Sequence, residues 1–432
     1  MKPHLVIKTT LPINQRTRYW GDVLLHKAGL PTHFDSRIDE ILKQKYQLPF
    51  WLTYNFKPKQ EEWSKAEIKA GFNRIYRLIL RQNTAIPNAV VQDLHLLPEV
   101  EYARVGGIAK TELPEPDLVE TKSIFGKYRA DGIGLKQAHL FSKGSPEIKI
   151  AVLDTGFETE HPEIRHAMLS GKDFVNIING AKQFIGDYLD YDDIPEDEVG
   201  HGTHVAGIIA AKGYKMPYGV VPECKIIPVK VLGALKRGES VVGAGLVDNI
   251  NNGIKWAVDQ GADIINMSLG IKHSGGGLPH EEVIKYALKK DVTIVAASGN
   301  DGKQDKYYPG ALPGVIAVGA SDNKGRIAPF STFGGHVSIT APGVNIYSSF
   351  LNGSYAASSG TSQAAPFVAG AVALLKSYAL SEGKKLYDRQ IKYLLKHTSD
   401  KVSTRFKDLR AGFGNINLLD ALKLYQYKMK TY

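Results

Sequence analysis

The run IKIAVLD at 148–154 sets the reading of this chain, and four more like it follow: KIIPVKVLG at 225–233, DIINMSL at 263–269, VTIVAAS at 292–298 and VIAVGA at 315–320. Each is short, rich in β-branched residues and nearly continuous in apolar character. That is the pattern of strands covered on both faces, not the alternation of a strand with one wet face. Between them lie stretches with apolar residues at helical spacing, VVGAGLVDNINNGIKWAVD at 241–259 and HEEVIKYALKK at 280–290. Strand, helix and strand in this order predict right-handed crossovers and an α/β fold, a doubly wound parallel sheet with flanking helices. Ligands of such sheets sit beyond the carboxyl ends of the strands, so the residues just after each run are the candidates for function.

Working outward, residues 1–108 read differently. Trp20, Trp51 and Trp63 fall there, with strand-like pieces at 4–8, 50–55 and 100–105 and a helical pattern at 64–81, SKAEIKAGFNRIYRLILR. These predict a small α+β domain over 1–108. A linker over 109–132 follows, whose segment AKTELPEPDLVETK carries the proline and charge of exposed chain, and the α/β domain then occupies 133–432.

Composition narrows the class. The chain has 432 residues, 43% hydrophobic and 23% charged, with 43 Gly and 21 Pro, which excludes collagen-like, disordered and coiled-coil proteins. The net charge of +10 comes without any contiguous Lys/Arg block, so nucleic acid is not an expected partner. Cys224 is the only cysteine, which rules out an intramolecular disulfide and any multi-cysteine metal site and predicts a small buried thiol. The first 25 residues lack the apolar core and small-residue cleavage site of a leader, and no apolar run of about 18 residues stands out. The expectation is a cytoplasmic protein that engages no membrane.

Three motifs lie where the sheet argument points. Asp154 closes the first strand in IAVLDTG, His201 opens a helix in HGTHVAG, and Ser362 lies in GTSQAAP at the start of the apolar helix through VAGAVALL. Amide hydrolysis at neutral pH needs a base to take the serine proton and a carboxylate to hold the imidazole and stabilise its cation. A helix N-terminus beneath Ser362 aims free N–H groups at a developing oxyanion. Asn300, after VTIVAASG, supplies a second donor of the kind worth roughly 3–4 kcal/mol in such reactions. Taken singly, each residue reads as a cap or a turn; the joint pattern points to a nucleophilic hydrolase. A non-catalytic protein of the same fold is the alternative from another class, and its weakness is that all four positions hold competent residues. A lipase or esterase of the α/β-hydrolase type would place Ser, Asp and His in a different order.

Read together, AVLDTGFETEHPE, GHGTHVAGIIAA, NGIKWAVDQGADIINMSLG, AASGND and SSGTSQAAPFVAGAVALL resemble the subtilisin-like serine proteases (subtilases), almost continuously from about 133 to 424. The resemblance implies a serine endopeptidase acting on protein or peptide substrates through an acyl-enzyme. Asp154, His201 and Ser362 would form its triad, Asn300 with the Ser362 N–H its oxyanion hole, and His204 would be structural. It implies that substrate is bound as an added strand between two edges, one at Ser268, Leu269 and Gly270 and the other near Gly238. The specificity pocket would include Ala297 and Gly299. Tyr307, just before the Tyr308, Pro309, Gly310 sequence, would fill that pocket and favour small side chains, while Asp301 at its rim would add tolerance for Lys or Arg.

The chain departs from the family pattern at its tight calcium site. Glu163 stands where an aspartate is usual, and the loop KGYKMPYG lacks the ligand-bearing asparagine. No cofactor is needed for the chemistry, no metal ligand is assigned, and any Ca²⁺ would be structural. A separate acidic loop carries Asp187, Asp190, Asp192, Asp193, Glu196, Asp197 and Glu198, either as a cation site or as a solvated loop. AVVQDLHLLPEVEYARVGG at 89–107 resembles the last helix and strand of the family's propeptides. It implies a zymogen with its own N-terminal domain as intramolecular inhibitor, cleaved between about Gly107 and Gly132. A permanent recognition domain is the alternative.

Overall fold

A computed structural model of the chain describes all residues except 1–2, 24–27, 111–129, 177–183, 187–193, 239, 274–276 and 431–432. Residues 3–105 fold around their own antiparallel sheet of β1 (His4–Thr9), β2 (Phe50–Tyr54), β3 (Ile75–Leu80) and β4 (Val100–Val105), in the order β2-β3-β1-β4. Helices α1 (Ser36–Asp39), α2 (Lys65–Ala70) and α3 (Asn88–His95) accompany it. The helical pattern at 64–81 is therefore only half a helix. Ser64 and Glu67 form a reciprocal capping box that starts α2, Gly71 at φ 82° ends it, and IYRLIL continues as the central strand β3.

The second body is built on β6 (Lys149–Asp154), β7 (Lys172–Asp173), β9 (Lys225–Lys230), β12 (Ile264–Met267), β13 (Thr293–Ala297), β14 (Ile316–Ser321) and β15 (Val337–Pro342). All pairings are parallel, in the order β15-β14-β13-β12-β6-β9-β7. The five quoted runs supply five of these strands. Alternate residues feed opposite faces: Ile150 and Val152 join a core with α5 (His201–Ala210) and α8 (Thr361–Ser381), while Ala151 and Leu153 join one with α6 (Val247–Asp259) and α7 (Glu281–Lys289). Short α4 (Leu135–Ala138), α9 (Asp388–Thr398) and α10 (Leu418–Lys430) complete the helices. By length and apolarity α8 could cross a bilayer, a feature the sequence reading passed over; here it is the central core helix, in contact with β12, β13, β14 and α5.

The predicted helix at 241–259 needs a larger correction. Its first part is β11 (Ser240–Leu246), which pairs with β10 (Gly233–Arg237) and with β5 (Ile108–Lys110); β8 (Phe184–Ile185) lies on the far side of β10. Only 247–259 is helical. VVGAGL is a strand because β10 and β5 pair with it, and it passes so close to the chain at 231 that a β-carbon on Gly245 would overlap the Val231 carbonyl. The two bodies share a core as well: Val6, Phe56, Phe72 and Ile75 pack with Ile250, Ile254 and Ile284, and Phe72 meets Tyr286 edge-on with ring centroids 5.1 Å apart.

Candidate active site

Parallel packing brings the ends of β6, β12 and β13 to one rim, and the N-termini of α5 and α8 come down onto it. Asp154, the last residue of β6, is 0% exposed; His201, the first of α5, is 2% exposed; Ser362, the second of α8, is 5% exposed. His201 Nδ1 and Asp154 Oδ1 are 2.5 Å apart, and the same oxygen accepts the Thr155 N–H at 2.8 Å. Burial pushes the Asp154 carboxyl above its ordinary range, opposed by the His201 charge and these hydrogen bonds. A carboxylate held in that state gains most when its histidine becomes cationic.

Ser362 Oγ donates to the Ser268 carbonyl at 3.0 Å, and Ser268 Oγ donates back to the Ser362 carbonyl at 2.8 Å. His201 Nε2 meanwhile makes no hydrogen bond in this structure. Asn300 Oδ1 accepts from the Thr361 N–H at 2.8 Å and the Thr361 hydroxyl at 2.9 Å, which ties the end of β13 to the start of α8. The Ser362 N–H lies in the first turn of α8, where the helix provides no acceptor. His204 is buried with Nε2 facing the Ile346 and Ala356 carbonyls at 3.0 and 3.1 Å; burial, then the nearby His201, push it down to about 4.

Sequence reasoning placed Asp197 within the acidic loop, but its role is internal. Its carboxylate accepts from the Thr155 hydroxyl, from the Val199, Gly200 and Thr203 N–H groups, and from the Thr203 hydroxyl, at 2.7–3.1 Å. It thus ties the residue after Asp154 to the first turn that carries His201. The acid positions before a Gly-bounded helix start were the available signal. Glu198 reaches the buried Lys230 ammonium at 3.0 Å. Asp187, Asp190, Asp192 and Asp193 lie outside the described residues.

Ser268, Leu269, Gly270, Ala297, Gly299 and Tyr307 line one open cavity of about 440 Å³ together with Asn300, Asp301, Ser362 and, from the N-terminal body, Ile108. Gly238 does not join them. It occupies the β10–β11 turn at φ 65°, whereas the other end of β11 pairs with β5, whose Ile108 lines the cavity. There Ala244, Gly245 and Leu246 pair antiparallel with Lys110, Ala109 and Ile108, an edge that the helix assignment at 241–259 concealed. Asp301 does not offer a free charge at the rim either, because Lys272 Nζ lies 2.6 Å from it.

The residues at the place of the family's calcium site do not fit a cation. The buried Glu163 carboxylate accepts the N–H groups of Gly213, Tyr214 and Lys215 at 2.7–3.1 Å and the Tyr355 hydroxyl at 3.2 Å. Backbone donors thus point inward where a cation would need oxygens. Among the described residues no group of three or more His, Cys, Asp or Glu side chains converges on a point.

The profile of the Subtilase family matches residues 145–414. The chain is 41% identical to the major intracellular serine protease of Bacillus subtilis (strain 168) over 253 residues, covering 56% of this chain and 73% of that one. It is 36% identical to the thermophilic serine proteinase of Bacillus sp. (strain AK1) over 339 residues, covering 77% and 75% respectively. It is also 36% identical to thermitase of Thermoactinomyces vulgaris over 279 residues, 64% of this chain and 89% of thermitase. Among solved structures, that of the prenylagaramide maturation protease PagA aligns at a TM-score of 0.55 and 31% identity, covering 67% of this chain and 97% of that chain. A match of this extent, over a sheet whose strand ends gather an aspartate, a histidine and a serine, means that the chain belongs to the subtilase family and is a subtilisin-like serine endopeptidase.

Proposed function

We propose that the chain is made as a self-inhibited zymogen of this endopeptidase, with Asp154, His201 and Ser362 as its triad and Asn300 and the Ser362 N–H as its oxyanion donors. His201 Nε2 takes the Ser362 proton as Oγ attacks the carbonyl carbon, and the oxyanion is held by Asn300 Nδ2 and the Ser362 N–H. The imidazolium then gives the same proton to the leaving nitrogen as the C–N bond breaks. Water, deprotonated by the same histidine, opens the ester and regenerates the serine. Asp154 keeps the imidazole in the tautomer with Nε2 as acceptor and stabilises its cation. The chemistry requires no cofactor, and any calcium would be structural.

The observation that carries the zymogen reading is β5. Ile108–Lys110 lies as an added strand on Ala244–Leu246, and Ile108 lines the cavity that holds Ser362, so the end of the N-terminal body occupies ground a substrate strand would use. The processing segment between Gly107 and Gly132 falls largely at 111–129, outside the described residues. Action in the cytoplasm is supported by the likeness to a relative named as intracellular. The test compares wild type with Ser362→Ala by intact mass and N-terminal sequencing. Wild type is expected to lose its N-terminal piece at a cut between 107 and 132, while Ser362→Ala stays whole. An uncleaved wild-type chain with full proteolytic activity would instead make residues 1–108 a permanent recognition module.

A further inference from the structure

The cavity beside Ser362 is crossed by a side chain. Tyr307 stands between the two backbone walls that define the slot: its Cβ lies against Gly270 on one side, and its ring lies so close to Gly299 on the other that a β-carbon there would collide with it. The ring is also tethered. Its hydroxyl lies 3.4 Å from Asp301 Oδ2, and Lys272 Nζ sits 5.2 Å from its centroid. Lys272 in turn bridges Asp301 at 2.6 Å and Asp305 at 2.7 Å. Asp301 is braced from behind by the Thr332 hydroxyl at 2.6 Å. Lys272, coming from the 268–270 wall, thereby closes a loop with the 301–307 segment around the aromatic ring.

A slot that adjoins both the nucleophile and the oxyanion donor receives the side chain of the residue whose carbonyl is attacked. Resting on the site assigned under the proposed function, we propose that Tyr307, held by the Lys272–Asp301–Asp305 clamp, restricts that residue to small uncharged side chains, Gly, Ala and Ser. A phenyl or isobutyl group would need the volume the ring already fills. Basic side chains find Asp301 already paired, and acidic ones meet a rim of two carboxylates and one ammonium. Tyr307 acts by occupying the slot; Lys272 is a positioning residue that acts through it.

The test uses the whole chain, after whatever self-processing it undergoes, against peptides that differ only in the residue before the scissile bond. Active-site concentration is set by fluorophosphonate titration. In wild type, kcat/KM for Ala should exceed that for Phe, Leu and Lys by about tenfold or more, the range set by one or more misfitted methylenes. Tyr307→Gly should move the Phe-to-Ala ratio toward Phe by at least about tenfold. Lys272→Ala, at a half-exposed site whose loss leaves the core intact, should shift it in the same direction by less, and Lys272→Arg should restore the wild-type ratio. A labelled wild-type enzyme that prefers Phe or Leu, or a ratio unchanged by both Tyr307→Gly and Lys272→Ala, overturns this inference alone. A chain that neither takes up the label at Ser362 nor hydrolyses any peptide overturns the site assignment, and this inference with it.

Discussion

Asp154, at the end of β6, and Asp248, in the first turn of α6, are both 0% exposed, yet their neighbours leave them in opposite states. Asp154 has His201 and one backbone N–H, and burial prevails, so its carboxyl lies above the ordinary range. Asp248 is also pushed upward by burial, but the Arg104 guanidinium, a 3.0 Å contact with His4 Nε2 and the nearby Arg77 reverse this and hold it well below that range. The difference teaches what each carboxylate is built for. The first is under-compensated and, in the proposed mechanism, gains when a positive charge develops on His201. The second is a fixed anion on the catalytic body, gripped by the Arg77 and Arg104 guanidiniums of β3 and β4 and by a hydrogen bond to His4 of β1 in the N-terminal body, with His280 of the α6–α7 face close by.

The largest break in the comparison is catalytic. Asp154→Asn and Ser362→Ala should each lower kcat by on the order of 10⁴-fold or more, and the double variant should lose little beyond the worse single one, because the members act as a unit. Hydrolysis of denatured casein checks this, and wild-type turnover in Ser362→Ala would defeat the mechanism. Asp248→Asn removes no member of the proposed triad and should leave the folded chain active.

In stability the order inverts. Asp248→Asn strands the buried Arg77 and the partly buried Arg104 without their anion and should cost about 3–5 kcal/mol, whereas Asp154→Asn removes a charge that burial already disfavours and should stay within about 1 kcal/mol. Denaturant midpoints of the two variants, each on a Ser362→Ala background to prevent self-digestion, separate the cases; equal losses would erase the distinction.

Acid should sharpen it further. The stability that ionised Asp248 contributes is present above the unfolded carboxyl range near 4 and is lost as pH falls below it. His4, lowered by burial against the pull of Asp248, adds a loss that begins earlier, as pH falls below about 6.5, because the unfolded state then takes up a proton the folded state resists. Asp154 runs the other way: its ionisation opposes folding at neutral pH, and that penalty vanishes as pH falls. The protection factors of amides across 100–105 should therefore fall between pH 6.5 and 4 before those of the parallel sheet, and His4→Gln should flatten the upper part of that profile.

The smallest effect concerns Glu163, a third buried carboxylate, paired with backbone N–H groups in place of a cation. Chelator should lower the melting temperature by no more than about 2 °C, on the order of 1 kcal/mol for a chain of this size. Glu163→Gln should cost more, about 1–3 kcal/mol, because it loosens the donors of Gly213, Tyr214 and Lys215. A fall of more than about 15 °C in chelator would point to a calcium site elsewhere.

The sequence by itself determined the parallel sheet, since strands buried on both faces must be apolar throughout and so announce themselves locally. It also placed Asp154, Ser268 and Asn300 near strand ends and His201 and Ser362 at helix starts, because each lies inside a short motif whose glycines and apolar runs define those termini. What only the tertiary structure decided involves partners far apart in the chain. VVGAGL at 241–246 and IYRLIL at 75–80 carry apolar residues that suit a helix as well as a strand, and pairing with β5, β10, β1 and β2 made them strands. That is why the strand that pairs with β5 at Ala244–Leu246 reads as helix in the sequence, and Gly238 falls in the turn at its other end. The grip of His4 and Arg104 on Asp248 spans 244 and 144 residues, and the Glu163 clasp on the 213–215 loop spans 50–52. A buried charge is stable only beside its partner, and such a partner, met only after the chain has folded, leaves no periodicity in the sequence.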